Sequence, residues 1–185
     1  MKKYLVILVA LIGFGTVHAQ KAKFSPSFEI GYGFLSSKGN GTSYTYRAVL
    51  GANYHITKPL YVGAKLGYNS SNYSGLANRQ SYSLTNHLIT LPLEVGYQLG
   101  NVDKFSFTPM AGIDLNYSVK SKMETGGSKT DYESDDKFTV DARVGLRFGI
   151  YGFQISGAYV FPLNDTHKDF FGTKAYPEIS IGFSF

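Results

Sequence analysis

Large apolar side chains alternate with small or polar ones in eight stretches of this chain, and that period of two is the signature of half-buried β-strands. The pattern predicts strands near 27–36, 43–55, 60–69, 83–98, 105–119, 137–150, 153–162 and 174–185. In the first, Phe28, Ile30, Tyr32 and Phe34 oppose Glu29, Gly31 and Gly33. In the sixth, Val140, Ala142, Val144, Leu146 and Phe148 oppose Asp141, Arg143, Gly145 and Arg147. The last sets Ile179, Ile181, Phe183 and Phe185 against Glu178, Ser180, Gly182 and Ser184.

The connections alternate in length. "ITKP", "GNVDK" and "YG" are short turns, whereas "SSKGNGT", "SSNYSGLANRQSY", "SKMETGGSKTDYESDD" and "NDTHKDFFG" read as long polar loops. An even number of strands, with short turns at one end and long loops at the other, predicts an all-β, eight-stranded antiparallel up-and-down transmembrane β-barrel. Both mature termini then fall on the short-turn, periplasmic side.

Composition agrees with strands. The chain has 15 Tyr, 14 Phe, 21 Gly and no cysteine, so no disulfide framework holds it. At the start, Lys2 and Lys3 precede an apolar run from about Tyr4 to Phe14 and small residues closing on Ala19. This predicts a signal peptide over 1–19, cleaved before Gln20, and a barrel domain over 20–185. The apolar run is shorter than the roughly 20 residues of a spanning helix. Removing Lys2 and Lys3 lowers the formal charge of +5 by two, and the remaining mild charge is too dispersed to indicate nucleic acid.

A soluble barrel would also alternate, but with its apolar face inward. Residue volume separates the two cases. The face opposite the aromatic residues is dominated by Gly, Ser, Thr and Asn, which suits the narrow lumen of eight strands, whereas the aromatic face holds more volume than that lumen admits. That face must point outward, and only lipid accommodates so large an apolar exterior. Beyond the first residues of the predicted strands, Glu29, Arg47, Lys65, Glu94, Asp114, Asp141, Arg143, Arg147 and Glu178 are the nine charges inside them, and all share the small-residue face. On the lipid face, Arg or Lys at the bilayer midplane would cost about 2–4 kcal/mol. The nine are expected to form a lumen network that holds the barrel shut.

Aromatic residues gather near strand ends, as interfacial girdles require. Tyr54, Tyr97, Phe105, Phe148, Phe153 and Phe185 fall at the periplasmic side, and Phe34, Tyr44, Tyr68, Tyr82, Tyr117, Phe138 and Phe161 at the outer side. Pro92 and Pro109 interrupt predicted strands and each should bring a bulge or a local break in the ladder. The terminal "EISIGFSF" is expected to close the cylinder by pairing with the first strand, leaving no open edge in lipid.

The segments "HLITLPLEVGYQLG", "FTPMAGIDLNYSV" and "FTVDARVGLRFGIYGFQISGAYVFPLNDT" resemble the outer-membrane β-barrel domain family, particularly its small PorT-like and OmpX-like members. The resemblance spans nearly the whole mature chain. It implies an outer-membrane location in a Gram-negative-type bacterium and transfers no catalytic residue. The final "IGFSF" is similar to the signal read by barrel-assembly machinery, which implies that partner during insertion and assigns the signal to Gly182, Phe183 and Phe185.

Candidate chemistry is sparse. His18, His55, His87 and His167 show no metal-ligand spacing, and no cofactor is indicated. The acidic residues of "KMETGGSKTDYESDD" read as a solvated loop rather than a cation site. His87 with Ser83, or His167 with Asp165 and Asp169, could imitate the Ser, His and carboxylate sites of barrels that modify lipid A. The leading expectation is a non-enzymatic barrel whose loops serve surface interaction, adhesion or envelope integrity, with an extracellular or envelope protein as partner. The alternatives are a lipid-modifying enzyme and a subunit of a secretion apparatus.

Overall fold

The computed structural model describes residues 24–35, 43–77, 80–101, 104–125, 128–132, 137–164 and 175–184. The signal-peptide segment 1–19, His167 with its neighbouring aspartates, and Phe185 lie outside the described residues. The described residues form strands β1 (Phe24–Leu35), β2 (Ser43–His55), β3 (Leu60–Ala77), β4 (Gln80–Tyr97), β5 (Leu99–Asn101), β6 (Phe105–Thr125), β7 (Ser128–Tyr132), β8 (Phe138–Ile150), β9 (Phe153–Pro162) and β10 (Tyr176–Ser184).

Eight of them are staves of a closed antiparallel barrel, in the order β1-β2-β3-β4-β6-β8-β9-β10 and back to β1. Closure runs from Ser27↔Ser184 to Gly33↔Glu178, so "EISIGFS" pairs with the first strand and each stave has two neighbours. The exterior is apolar: Ile30, Leu50, Leu66, Ile89, Val144, Ile155, Ile179 and Ile181 all stand exposed. The polar partners in each alternation point inward and are buried.

The two ends differ. At the turn end, Tyr151 (φ 50°) and Gly152 (φ 81°) make the two-residue connection of β8 to β9, with both central residues left-handed as a tight hairpin requires. The β2–β3 turn is held by Ile56 N–H donating to Leu60 O at 2.9 Å. At the opposite end, β3 and β4 are 18 residues each and β6 is 21, against the roughly 9–11 residues of a tilted membrane strand. The stretches expected as loops at 70–82 and 121–136 are therefore largely strand. β3 and β4 continue as a hairpin to Ala77↔Gln80, and β6 folds back on β7 from Ser121↔Tyr132 to Thr125↔Ser128. Outside an apolar solvent these segments need no greasy face, so they carry Ser, Asn and Thr and lose the alternation that marks the membrane staves.

Both interior prolines break one ladder and spare the other. β3–β4 pairing stops at Ala64↔Leu93 and resumes at Gly67↔Thr90, a gap opposite Pro92, while Pro92↔Asp114 keeps its place between β4 and β6. β4 likewise stops pairing at Gly96↔Met110 and resumes as β5 at Leu99↔Phe107, a gap opposite Pro109. A proline lacks one N–H, and that N–H would have reached only one neighbour. The bulge lies elsewhere: His87↔Lys120 is followed by Leu88↔Ser118, leaving Val119 as an extra residue in β6.

Candidate functional site: the barrel interior

All nine in-strand charges lie inside the barrel, each 9 % exposed or less. Alternation places them there, and glycine on the same face makes room for their length. A Cβ on Gly31 would stand 2.7 Å from Glu178 Oε1, and one on Gly96 would meet the ring of Tyr61.

Their contacts form two layers along the axis. In the layer nearer the turns, Lys65 Nζ donates to Glu29 Oε2 at 3.0 Å and to Glu94 Oε2 at 2.9 Å. Arg147 Nη1 donates to Glu94 Oε1 at 2.9 Å and to the Tyr61 hydroxyl at 2.8 Å, and its Nη2 donates to Glu29 Oε2 at 3.2 Å. Arg147 Nε also reaches Ser156 Oγ at 3.2 Å. In the next layer Arg47 bridges Glu29 at 2.5 Å and Glu178 at 2.9 Å. Arg143 bridges Asp114 at 2.7 Å and Glu178 at 2.8 Å. Glu29 on β1, Arg47 on β2, Lys65 on β3, Glu94 on β4, Asp114 on β6, two arginines on β8, Ser156 on β9 and Glu178 on β10 tie every stave to the centre.

Four cations thus meet four carboxylates. The fifth carboxylate, Asp141, stands apart from these ion pairs. It lies in register with Asp114 and accepts from Asn116 Nδ2 at 2.9 Å.

Above it the lumen is apolar. Leu35, Tyr73, Leu84, Val160 and Tyr176 pack together inside the long-strand end. Alternation alone did not single out these five or Tyr61, yet the signal was there. Tyr61 and Tyr73 share the parity of Lys65, and Tyr176 that of Glu178, so each should point inward with its charged strand-mate. Plug and network together fill the bore.

On the exterior, Phe34, Tyr68, Tyr117 and Phe138 are exposed toward the long-strand end, and Tyr54, Tyr97, Phe105 and Phe148 toward the turn end. Tyr32 and Tyr46, which strand-end position alone did not mark, extend the first group, with their ring centroids 5.1 Å apart. Of the expected assembly-signal residues, Gly182 faces inward and Phe183 outward with its ring 5.4 Å from Phe153.

His87 faces outward on β4, hydrogen-bonded to the Tyr68 hydroxyl. Ser83 lies four residues away on the same strand, roughly 13 Å at the strand rise, so the two side chains do not form a dyad. His55 sits at the turn end, 3.5 Å from Ser25 Oγ. Among the described residues, no three His, Cys, Asp or Glu side chains gather as metal ligands.

Among solved structures, the chain is similar to the N-terminal β-barrel domain of Pseudomonas aeruginosa OprF, at 14% identity over 87% of this chain and 97% of that one, with a TM-score of 0.44. It is similar to the outer membrane enzyme PagL at 10% identity, covering 85% and 98% with a TM-score of 0.49. Ail, the attachment invasion locus protein of Yersinia pestis, is similar at 14% identity, covering 88% and 99% with a TM-score of 0.47. None of these likenesses carries a residue's role to this chain. No curated protein matches the sequence. The sequence model of the outer membrane protein beta-barrel domain matches residues 7–181, nearly the length of the chain, and with a closed eight-stave cylinder that is apolar outside and charged within, the protein belongs to that family.

Proposed function

We propose that this outer-membrane barrel is a non-enzymatic display scaffold, serving surface interaction, adhesion or envelope integrity through structures held outside the cell. The observation that carries the reading is the overshoot of β3, β4 and β6 at one end only. With both mature termini periplasmic, the β3–β4 and β6–β7 hairpins project from the outer surface as rigid, polar, hydrogen-bonded ribbons. A rigid ribbon loses less entropy on meeting a protein partner than a mobile loop of equal length. The plugged, ion-paired lumen supports a scaffold over a channel, and the separation of His87 from Ser83 along one strand supports a non-enzymatic reading of that pair. The barrel-assembly machinery is the partner during insertion, with the closing strand as the segment it reads.

Insertion of an epitope at 78–79, in the β3–β4 connection, tests the orientation. Antibody should bind intact cells, and binding that appears only after permeabilisation would invert the barrel and remove the reading.

A further inference from the structure

Four buried oxygen atoms at one level of the lumen have no hydrogen-bond partner among the described residues: Thr90 Oγ1, Asn116 Oδ1, Thr139 Oγ1 and Asp141 Oδ1. They belong to three adjacent staves. Asn116 is in register with Thr90 of β4 on one side and with Thr139 of β8 on the other, and Asp141 follows Thr139 on the same inward face. Thr90 is 0 % exposed and Asn116 1 %, and Thr139 and Asp141 are 6 % each. The Asn116 amide nitrogen is already committed to Asp141 Oδ2, so its carbonyl oxygen is directed elsewhere. Among the described residues no cation side chain hydrogen-bonds to these atoms. Arg143, the nearest along β8, is occupied by Asp114 and Glu178.

Two demands therefore coincide at one place. Each unpaired buried acceptor destabilises the fold until something donates to it or coordinates it. The interior also holds five carboxylates against four basic groups, with Asp141 the one outside the ion pairs. Water would satisfy the lone pairs and leave the charge. A small cation does both, because hard ions take oxygen ligands and a site lacking nitrogen or sulfur donors favours them. The residual charge is a single unit, which selects a monovalent ion over a divalent one.

We propose that Thr90, Asn116, Thr139 and Asp141 form a structural site for an alkali-metal cation, sodium or potassium, between the ion-pair layers and the apolar plug. The plug of Tyr73, Tyr176, Leu35, Leu84 and Val160 covers the site on one side and Arg143 with Asp114 on the other. The ion is enclosed as the barrel closes, and it completes the network rather than passing through it.

The test uses the mature chain refolded in detergent micelles, with its unfolding midpoint followed by the heat-dependent shift in gel mobility. Sodium or potassium chloride should raise the midpoint over N-methylglucamine chloride at equal ionic strength, by roughly 5 °C at saturation. Asp141→Asn should abolish the difference between salts. If that variant does not fold, Thr139→Val, which removes one ligand and no charge, should reduce the difference. Crystals grown in rubidium or thallium salts should show an anomalous peak among the four oxygens. Equal midpoints in both salts, or a difference retained by Asp141→Asn, would overturn the site. A midpoint that follows pH alone, indifferent to the cation, would give the fifth charge to a proton and overturn it equally.

Discussion

Arg147 touches more of the interior than any one pairing suggests. Its guanidinium holds Glu94, Glu29, Tyr61 and Ser156, which come from four other staves. Removing one member of a buried pair strands the partner's charge, at about 3–5 kcal/mol, whereas removing both together costs far less. Arg147→Ala should therefore lower stability in micelles by about 3–5 kcal/mol, read from denaturant unfolding. The double change Arg147→Met, Glu94→Gln, which leaves Lys65 paired with Glu29, should recover part of that loss, and a single variant as stable as the parent would show that the network is ornamental. At this scale the sequence was half legible. Period-2 parity names the face of all nine lumen charges, since a side chain in a strand has only two sides. It does not name partners, because Arg147 and Glu29 are 118 positions apart and meet only when the cylinder closes.

The elements show where alternation works and where it stops. β2 and β9 run over the ranges the pattern predicts, because lipid imposes an apolar residue at every second position. β3, β4 and β6 outrun it, because beyond the membrane the ladder itself holds the strand and neither face must be greasy. The bulge at Val119 belongs to this scale. Lys120 and Lys122 share the parity of lumen-facing Asp114 and Asn116, yet they pair with outward-facing His87 and Thr85, because one inserted residue reverses the phase. Inserting an alanine after Val119 adds one residue more than the bulge absorbs, and should turn both lysines away from His87 and Thr85 toward Leu84, Leu88 and Tyr73 at the mouth of the barrel. The thermal midpoint should then fall by several degrees, consistent with a loss of about 1–3 kcal/mol. Val119→Ala keeps the extra residue and should leave the midpoint nearly unchanged. Equal behaviour of the two variants would show that the bulge does not set the phase.

For the molecule as a whole, the question is whether a cylinder of eight staves leaves a path along its axis. An interior of this size is just wide enough for side chains to fill it, and porins reach an aqueous channel only at about 16 strands. Here two unlike obstacles lie in series. A permeating ion would have to part Tyr73 and Tyr176 from their apolar neighbours, then separate Arg143, Arg47, Arg147 and Lys65 from carboxylates 2.5–3.2 Å away. Opening either alone leaves the other shut. The parent protein in a planar bilayer should show no stable conductance, and the double variant Tyr73→Ala, Tyr176→Ala should remain silent because the ion-paired layers still span the bore. Sustained steps from the double variant would make the aromatic plug the sole barrier, and steps from the parent would refute a filled interior. The filled bore and the polar hairpins then have one physical origin. Each stave crosses the bilayer with one face for lipid and one for its neighbours' charges, and whatever length exceeds that crossing is released from the lipid's demand for an apolar face.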